Sequence, residues 1–158
     1  MDIVRARPED AATLTEIAFA AKRHWGYPER WIQAWQDLLT ISAEAIADHE
    51  TYTAVVDGRI AGFYSLQQKS DRICLEHLWV LPSAMRQGIG RALFLHAIER
   101  VKALGGHTLE IESDPNSEAF YHRMGAQRVG TKVTQLEGQP RELPRLVYRV
   151  DPSPISGD

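Results

Sequence analysis

The chain of 158 residues holds a single cysteine, Cys74, so no internal disulfide can form and a disulfide-stapled scaffold is excluded. A lone thiol fits a reducing compartment, and the expected location is the cytoplasm. No apolar run approaches the ~20 residues of a membrane span. Residues 1–22 carry Asp2, Glu9, Asp10 and Glu16 where a secretory leader needs an apolar core. Basic charge is not in excess: 18 Lys/Arg against 21 Asp/Glu leave a net charge of −3, which argues against a dedicated nucleic-acid binder. Internal repeats and low-complexity segments are absent, and no metal is expected.

What is present is an ordinary globular balance, 44% hydrophobic and 25% charged, in a length that fits one domain over 1–150. Residues 151–158, with Pro152, Pro154 and Gly157, read as a flexible tail. The charge is uneven. Residues 1–50 hold five Lys/Arg against nine Asp/Glu, residues 51–104 seven against four, and residues 105–158 six against eight. Only the middle third is basic.

Periodicity gives the element order. A strand over 3–6 precedes a helix opened by Pro8-Glu9-Asp10, with Leu14, Ile17, Ala18 and Ala21 as its apolar stripe. A second helix from Pro28 places Trp31, Trp35 and Leu38 on one face, and Ser42 caps a short third turn. Strands over 51–56 and 60–68 flank the hairpin signal Asp57-Gly58, and a third runs over 72–81. A helix over 86–104 follows, then a strand over 108–112 and a helix over 115–124 with Gly125 behind it. Strands over 127–134 and 143–150 close the chain, joined by a polar loop with Gly138 and Pro140. Hairpins require antiparallel strands and the strand-helix-strand unit over 72–112 requires parallel ones. The expected fold is therefore α/β: a mixed, mostly antiparallel sheet of six to seven strands with helices on both faces, in the order β-α-α-β-β-β-α-β-α-β-β.

The most informative stretch is 82–91, Pro-Ser-Ala-Met-Arg-Gln-Gly-Ile-Gly-Arg, where two glycines open a long helix directly after a strand. Glycines let backbone amides approach a ligand, and the free N–H groups and dipole of a helix start favour anions. Arg86 and Arg91 add charge-assisted donors suited to phosphate. A dinucleotide-binding turn is disfavoured, although Glu112 lies 22 residues after Gly90: Leu93 stands where the third glycine belongs and hairpins precede the unit. A P-loop is excluded because Gly-Lys-Ser/Thr is missing. The bland alternative is that Gly88 and Gly90 merely shape a helix start.

Residues 75–82, Leu-Glu-His-Leu-Trp-Val-Leu-Pro, together with this loop and its helix, resemble the acetyl-CoA-binding core of the GNAT superfamily of N-acetyltransferases. The family loop Gln/Arg-x-x-Gly-x-Gly/Ala is matched by Met85-Arg86-Gln87-Gly88-Ile89-Gly90, with Met85 departing from the pattern at the first position. A second segment, Asn116 to Ala126 with Ala119, Tyr121 and Gly125, is similar to the family's Asn...Ala...Tyr...Gly-Phe motif, and Gly62-Phe63 to its Gly-Phe. The resemblance covers 51–150 well and 3–50 in element order only.

The resemblance implies an acetyl-CoA-dependent N-acetyltransferase that uses acetyl-CoA as cosubstrate and no metal. It implies that the backbone of Leu78 and Val80, with Trp79 between them, holds the pantetheine arm beside a strand bulge. The amides of Arg86, Gln87, Gly88, Ile89, Gly90 and Arg91 would cradle the pyrophosphate. Asn116 would contact the arm, and Tyr121 would lie near the thioester sulfur as general acid.

Chemistry adds its own demands. An amine resembling Lys, with a pKa of about 10.4, attacks only when deprotonated, and the expelled thiolate has an ordinary pKa of about 8.5. A base, an oxyanion donor and an acid near sulfur are needed. Two-residue alternation places Glu76 on a face with Cys74, Leu78 and Val80, with His77 facing the other way as a packed histidine. Glu76 is the first candidate base; Glu110 and Glu112, or water, are rivals. Cys74 is not expected to be a nucleophile.

Trp25, Trp31 and Trp35 cluster with Tyr27 and Phe19 in the first helices, where they either pack the helices onto the sheet or, with Glu29, attract a cationic acceptor. The expected partners are acetyl-CoA and a small-molecule amine, with no nucleic acid and no membrane, in a monomer or a homodimer. The alternatives are a catalytically silent acyl-CoA-binding module, or a protein N-terminal or lysine acetyltransferase.

Overall fold

A computed structural model describes residues 1–150; the C-terminal stretch expected to be a flexible tail, 151–158, lies outside the described residues. β1 (Asp2–Arg5) leads through a 3-10 turn at Pro8–Asp10 into α1 (Ala11–His24), α2 (Glu29–Ala34), α3 (Gln36–Leu39) and α4 (Ala43–Asp48). β2 (Glu50–Val56), β3 (Arg59–Lys69), β4 (Arg72–Val80) and α5 (Ile89–Ala103) come next. β5 (Thr108–Glu112), α6 (Glu118–Arg123), β6 (Gln127–Leu136) and β7 (Gln139–Arg149) complete the order. The seven strands form one mixed sheet, β1-β2-β3-β4-β5-β7-β6, in which β4 and β5 run parallel while β1/β2, β2/β3, β5/β7 and β6/β7 run antiparallel. The described chain divides into two compact units, one made of Met1–Gln67 with Glu76–His96, the other of Gln68–Leu75 with residues 97–150.

In the first unit, Leu14, Ile17 and Ala18 of α1 bury against Leu39, Ile41, Ile46 and Phe63, with Trp35 and Trp79 packed on the cluster. Ser42 caps α4 by accepting from the Ala45 amide at 3.0 Å. Asp57 and Gly58, at φ 52° and 77°, make the two-residue hairpin turn that needs two left-handed positions. β3 presents its two faces to different helices. Phe63 points into the α1, α3 and α4 cluster. Gly62 points the other way, where a Cβ would lie 2.8 Å from the Trp79 carbonyl oxygen and 3.2 Å from Leu93 Cδ1 of α5. Only glycine lets the β4 backbone at Trp79 lie that close.

Three local expectations change. The second helix breaks at Trp35 (φ −94°, ψ 8°), whose N–H is shared among the carbonyls of residues 31–33. The break resets the register, so Leu39 is buried and Leu38, expected on the apolar face, is 71% exposed. The helix expected from 86 starts at Ile89, because Arg86 at φ 65° cannot belong to a right-handed helix. In the second unit, where Leu109, Ile111 and Leu146 are buried, the polar loop expected after 134 is strand instead. Glu137 and Gly138 (φ 53° and 75°) form a tight turn, so Leu136 pairs with Gln139 and Thr134 with Arg141.

Candidate active site

After β4, a 3-10 turn at Pro82–Ala84 delivers the chain to Met85 in extended conformation, then to Arg86 and Gly88 with φ 65° and 82°. A Cβ on Gly88 would meet nothing within 4 Å, so backbone conformation, not space, calls for glycine there. The Ala92 amide bonds back to the Gly88 carbonyl at 3.0 Å. The amides of Ile89, Gly90 and Arg91 therefore precede the first intrahelical bond of α5 and point out of its positive end. Ile89 is buried and anchors the turn, while Arg86, Gln87 and Arg91 are exposed beside it. The result is a row of donors with two guanidinium groups, suited to phosphate oxygens.

The middle of β4 departs from strict alternation. Ser65 shares the Phe63 face of β3, and its hydroxyl donates to Glu76 Oε1 at 3.2 Å. The His77 ring lies 6.1 Å from the Phe63 ring, on the same face. Two consecutive residues turned to one side are the mark of a bulge. The expectation that His77 opposes Glu76 is thus corrected. So is the grouping of Glu76 with Val80, whose Cγ2 lies on the Gly62 side of β3. Trp79 Nε1 donates to His77 Nδ1 at 3.0 Å, which leaves the His77 proton on Nε2. Burial holds His77 below the ordinary histidine value, opposed by the charge of Glu76. The β4/β5 ladder pairs Ile73, Cys74 and Leu75 with Leu109, Glu110 and Ile111. Residues 76–80 lie beyond that register.

Glu76 has a partner that no motif announced. His49, at the junction of α4 and β2, places Nδ1 2.7 Å from Glu76 Oε1. Thr51 Oγ1 donates to Ser65 Oγ at 3.4 Å, extending the polar chain. A carboxylate touching imidazole can take a proton and pass it on, which is the equipment of a general base. The signal was hidden because the two residues lie 27 apart in sequence, in elements of different type.

In the second unit, Tyr121 on α6 is 7% exposed, and burial together with the nearby Asp114 carboxylate holds its phenol above the ordinary value. It remains a neutral donor. Asn116 is fixed by Asp114 Oδ1, which accepts from its backbone N–H at 2.8 Å and its side-chain amide at 3.0 Å. Asp114 in turn faces Arg141 at 3.6 Å. The two rival bases are committed to cations: Glu110 lies 3.7 Å from Arg72 and Glu112 3.3 Å from Lys132. The Cys74 thiol is raised above its ordinary value by burial, which does not favour a nucleophile. Among the described residues, no group of three or more His, Cys, Asp or Glu is placed to hold a metal, and no helix is long and apolar enough to cross a membrane.

The aromatic cluster of the first helices already holds a cation. Lys22, 8% exposed, sets its ammonium 4.3 Å from the Trp35 ring centroid and 5.1 Å from that of Tyr27. Arg23 donates to both carboxylate oxygens of Glu29, at 2.7 and 3.2 Å.

Residues 13–126 match the family model described as the acetyltransferase (GNAT) family. The peptidyl-lysine N-acetyltransferase YiaC of Escherichia coli (strain K12) is 30% identical over 77 residues, 48% of this chain and 51% of that protein. The chain thus spans about half the length of the curated relatives it matches. A GCN5-related N-acetyltransferase structure from Rhodopseudomonas palustris superposes with a TM-score of 0.79 at 21% identity, covering 94% of each chain. PaiA N-acetyltransferase from Thermoplasma acidophilum, solved in complex with coenzyme A, gives 0.73 at 22% identity, covering 94% of this chain and 98% of that one.

Proposed function

Because the chain belongs to the acetyltransferase (GNAT) family, we propose that it moves an acetyl group from acetyl-CoA to an amine by direct attack in a ternary complex. The observation that carries this reading is the outward row of amides at the start of α5, braced by Arg86 and Gly88 in left-handed conformation. In this reading the amides of residues 86–91 and the two arginines take the pyrophosphate. The free edge of Leu78, Trp79 and Val80 takes the pantetheine arm as an added strand. The coenzyme A complex of the PaiA relative supports the same choice of ligand.

Glu76, hydrogen-bonded to His49, removes the proton from the attacking amine; a new C–N bond forms as the C–S bond breaks. Tyr121, kept protonated by burial, donates toward the leaving sulfur. Asn116, its backbone held by Asp114, orients the arm. Ion pairing of Glu110 and Glu112 supports Glu76 as the base.

For the acceptor, the acid excess of residues 1–50 supports a small cationic amine. Within the aromatic cluster Lys22 already occupies the Tyr27 and Trp35 rings and Arg23 holds Glu29, so these groups add no further support. A second reading, a lysine side chain of a protein, is favoured by the likeness to a peptidyl-lysine N-acetyltransferase. A thiol-release assay with acetyl-CoA across small polyamines and lysine peptides separates the two. Glu76→Gln and Tyr121→Phe are each expected to lower turnover about 10²-fold. Full activity in either variant removes that residue from the chemistry, and release with no amine tested would defeat the reading.

A further inference from the structure

The second unit carries a groove of about 230 Å³ lined by residues of its strands. Four cations line it, Lys69, Arg72, Lys132 and Arg145, against two carboxylates, Glu110 and Glu112. Both carboxylates are spoken for, by Arg72 at 3.7 Å and Lys132 at 3.3 Å. Lys69 and Arg145 form no ion pair among the described residues, although Arg145 stands opposite Glu112 in the β5/β7 ladder. Two positive charges are left over in one concavity, with the Thr131 hydroxyl beside them.

Their spacing selects among anions. Lys69 ends β3 and Arg145 lies on β7, three places along in the sheet order. Arg145 lies four residues from Arg149, the β7 residue level with Lys69, so at about 4.8 Å per strand across the sheet and about 13 Å along it the two backbones are about 20 Å apart. The long side chains, each reaching about 6 Å, leave several Å between their charges. Charge concentrated on a single phosphorus centre serves one end and sits against Glu110 and Glu112. Two carboxylates joined by a short carbon chain can serve both ends, and the flat guanidinium of Arg145 matches a carboxylate with two parallel hydrogen bonds.

We propose that this groove is a binding site for a compact dicarboxylate, held between Lys69 and Arg145. The proposal does not depend on the acyl-transfer reading.

Cys74, the chain's only cysteine, lines the groove and serves as a local reporter. Its alkylation by iodoacetamide is followed near pH 9, since burial raises the thiol, with succinate, inorganic phosphate or sodium chloride at equal ionic strength. Succinate is expected to slow alkylation at least fivefold, phosphate and chloride less than twofold. In the Lys69→Gln/Arg145→Gln double variant, folded by circular dichroism, the protection by succinate disappears. Calorimetric titration of succinate into both proteins gives a second, thiol-independent reading of the same loss. Protection no greater than that by chloride, stronger protection by phosphate, or undiminished protection in the double variant would overturn the proposal.

Discussion

Around residues 86–91 the chain turns backbone amides outward, holding Arg86 at φ 65° and Gly88 at φ 82° to do so. Over β5 it instead gathers side chains, four cations against two carboxylates. The first region attracts anions through groups every residue possesses, so its specificity lies in conformation, and its free energy is stored as backbone strain of about 1–3 kcal/mol. The second attracts anions through surplus charge, so its strength depends on which cations lack partners. Lys22 shows the opposite outcome for a cation: enclosed by Trp35 and Tyr27, it has nothing left to offer a ligand. Charge matters to function only after internal partners are subtracted.

The comparison breaks first if the two regions are not independent. Arg86→Ala is expected to weaken coenzyme A binding about tenfold, as loss of a charge-assisted bond does, while Arg145→Gln leaves it within about twofold. A parallel tenfold loss in Arg145→Gln, measured by calorimetry, would merge the regions into one.

Conformation in the loop can be tested without any ligand. Arg86→Gly relieves a left-handed residue and should raise unfolding free energy by about 1 kcal/mol, whereas Gly88→Ala should lower it by a similar amount. Urea unfolding of both variants checks the sign. A smaller contrast concerns salt: raising it from about 0.1 to 0.5 M shortens the screening length and should weaken the exposed side-chain groove several-fold. Coenzyme A, held partly by amides, should lose less.

The smallest effect is acid-side stability. The unfolded chain takes up a proton at His77 near the ordinary value of about 6.5, before the folded chain does. The stabilisation by neutral His77 is therefore complete above pH 6.5 and declines as pH falls below it toward the lower folded value. Thermal unfolding of His77→Gln between pH 7.5 and 5.5 should show a shallower decline than the parent chain.

What could be read from sequence follows from how contiguous each feature is. The amide row was legible because strand, glycines and helix are adjacent, and the Asp57-Gly58 turn because its chemistry is local. The fold class followed from the order of such local signals. The Glu137-Gly138 turn is not legible because Pro140, beside it, interrupts the strand pattern and reads as loop. The bulge at Glu76 was invisible to alternation, since one extra residue reverses every assignment after it. His49 and the groove could not be anticipated at all: their parts come from distant segments, and only the sheet register brings Glu112 and Arg145 face to face.

The account rests on the loop before α5 as the seat of the acetyl donor, and calorimetric titration of coenzyme A into the parent chain and Gly88→Asp tests that directly. A carboxylate there strains the left-handed position and repels phosphate. The account predicts saturable binding by the parent chain and an affinity at least about 100-fold weaker in a folded Gly88→Asp. Equal affinity in the two proteins, or no binding by the parent chain, would contradict it.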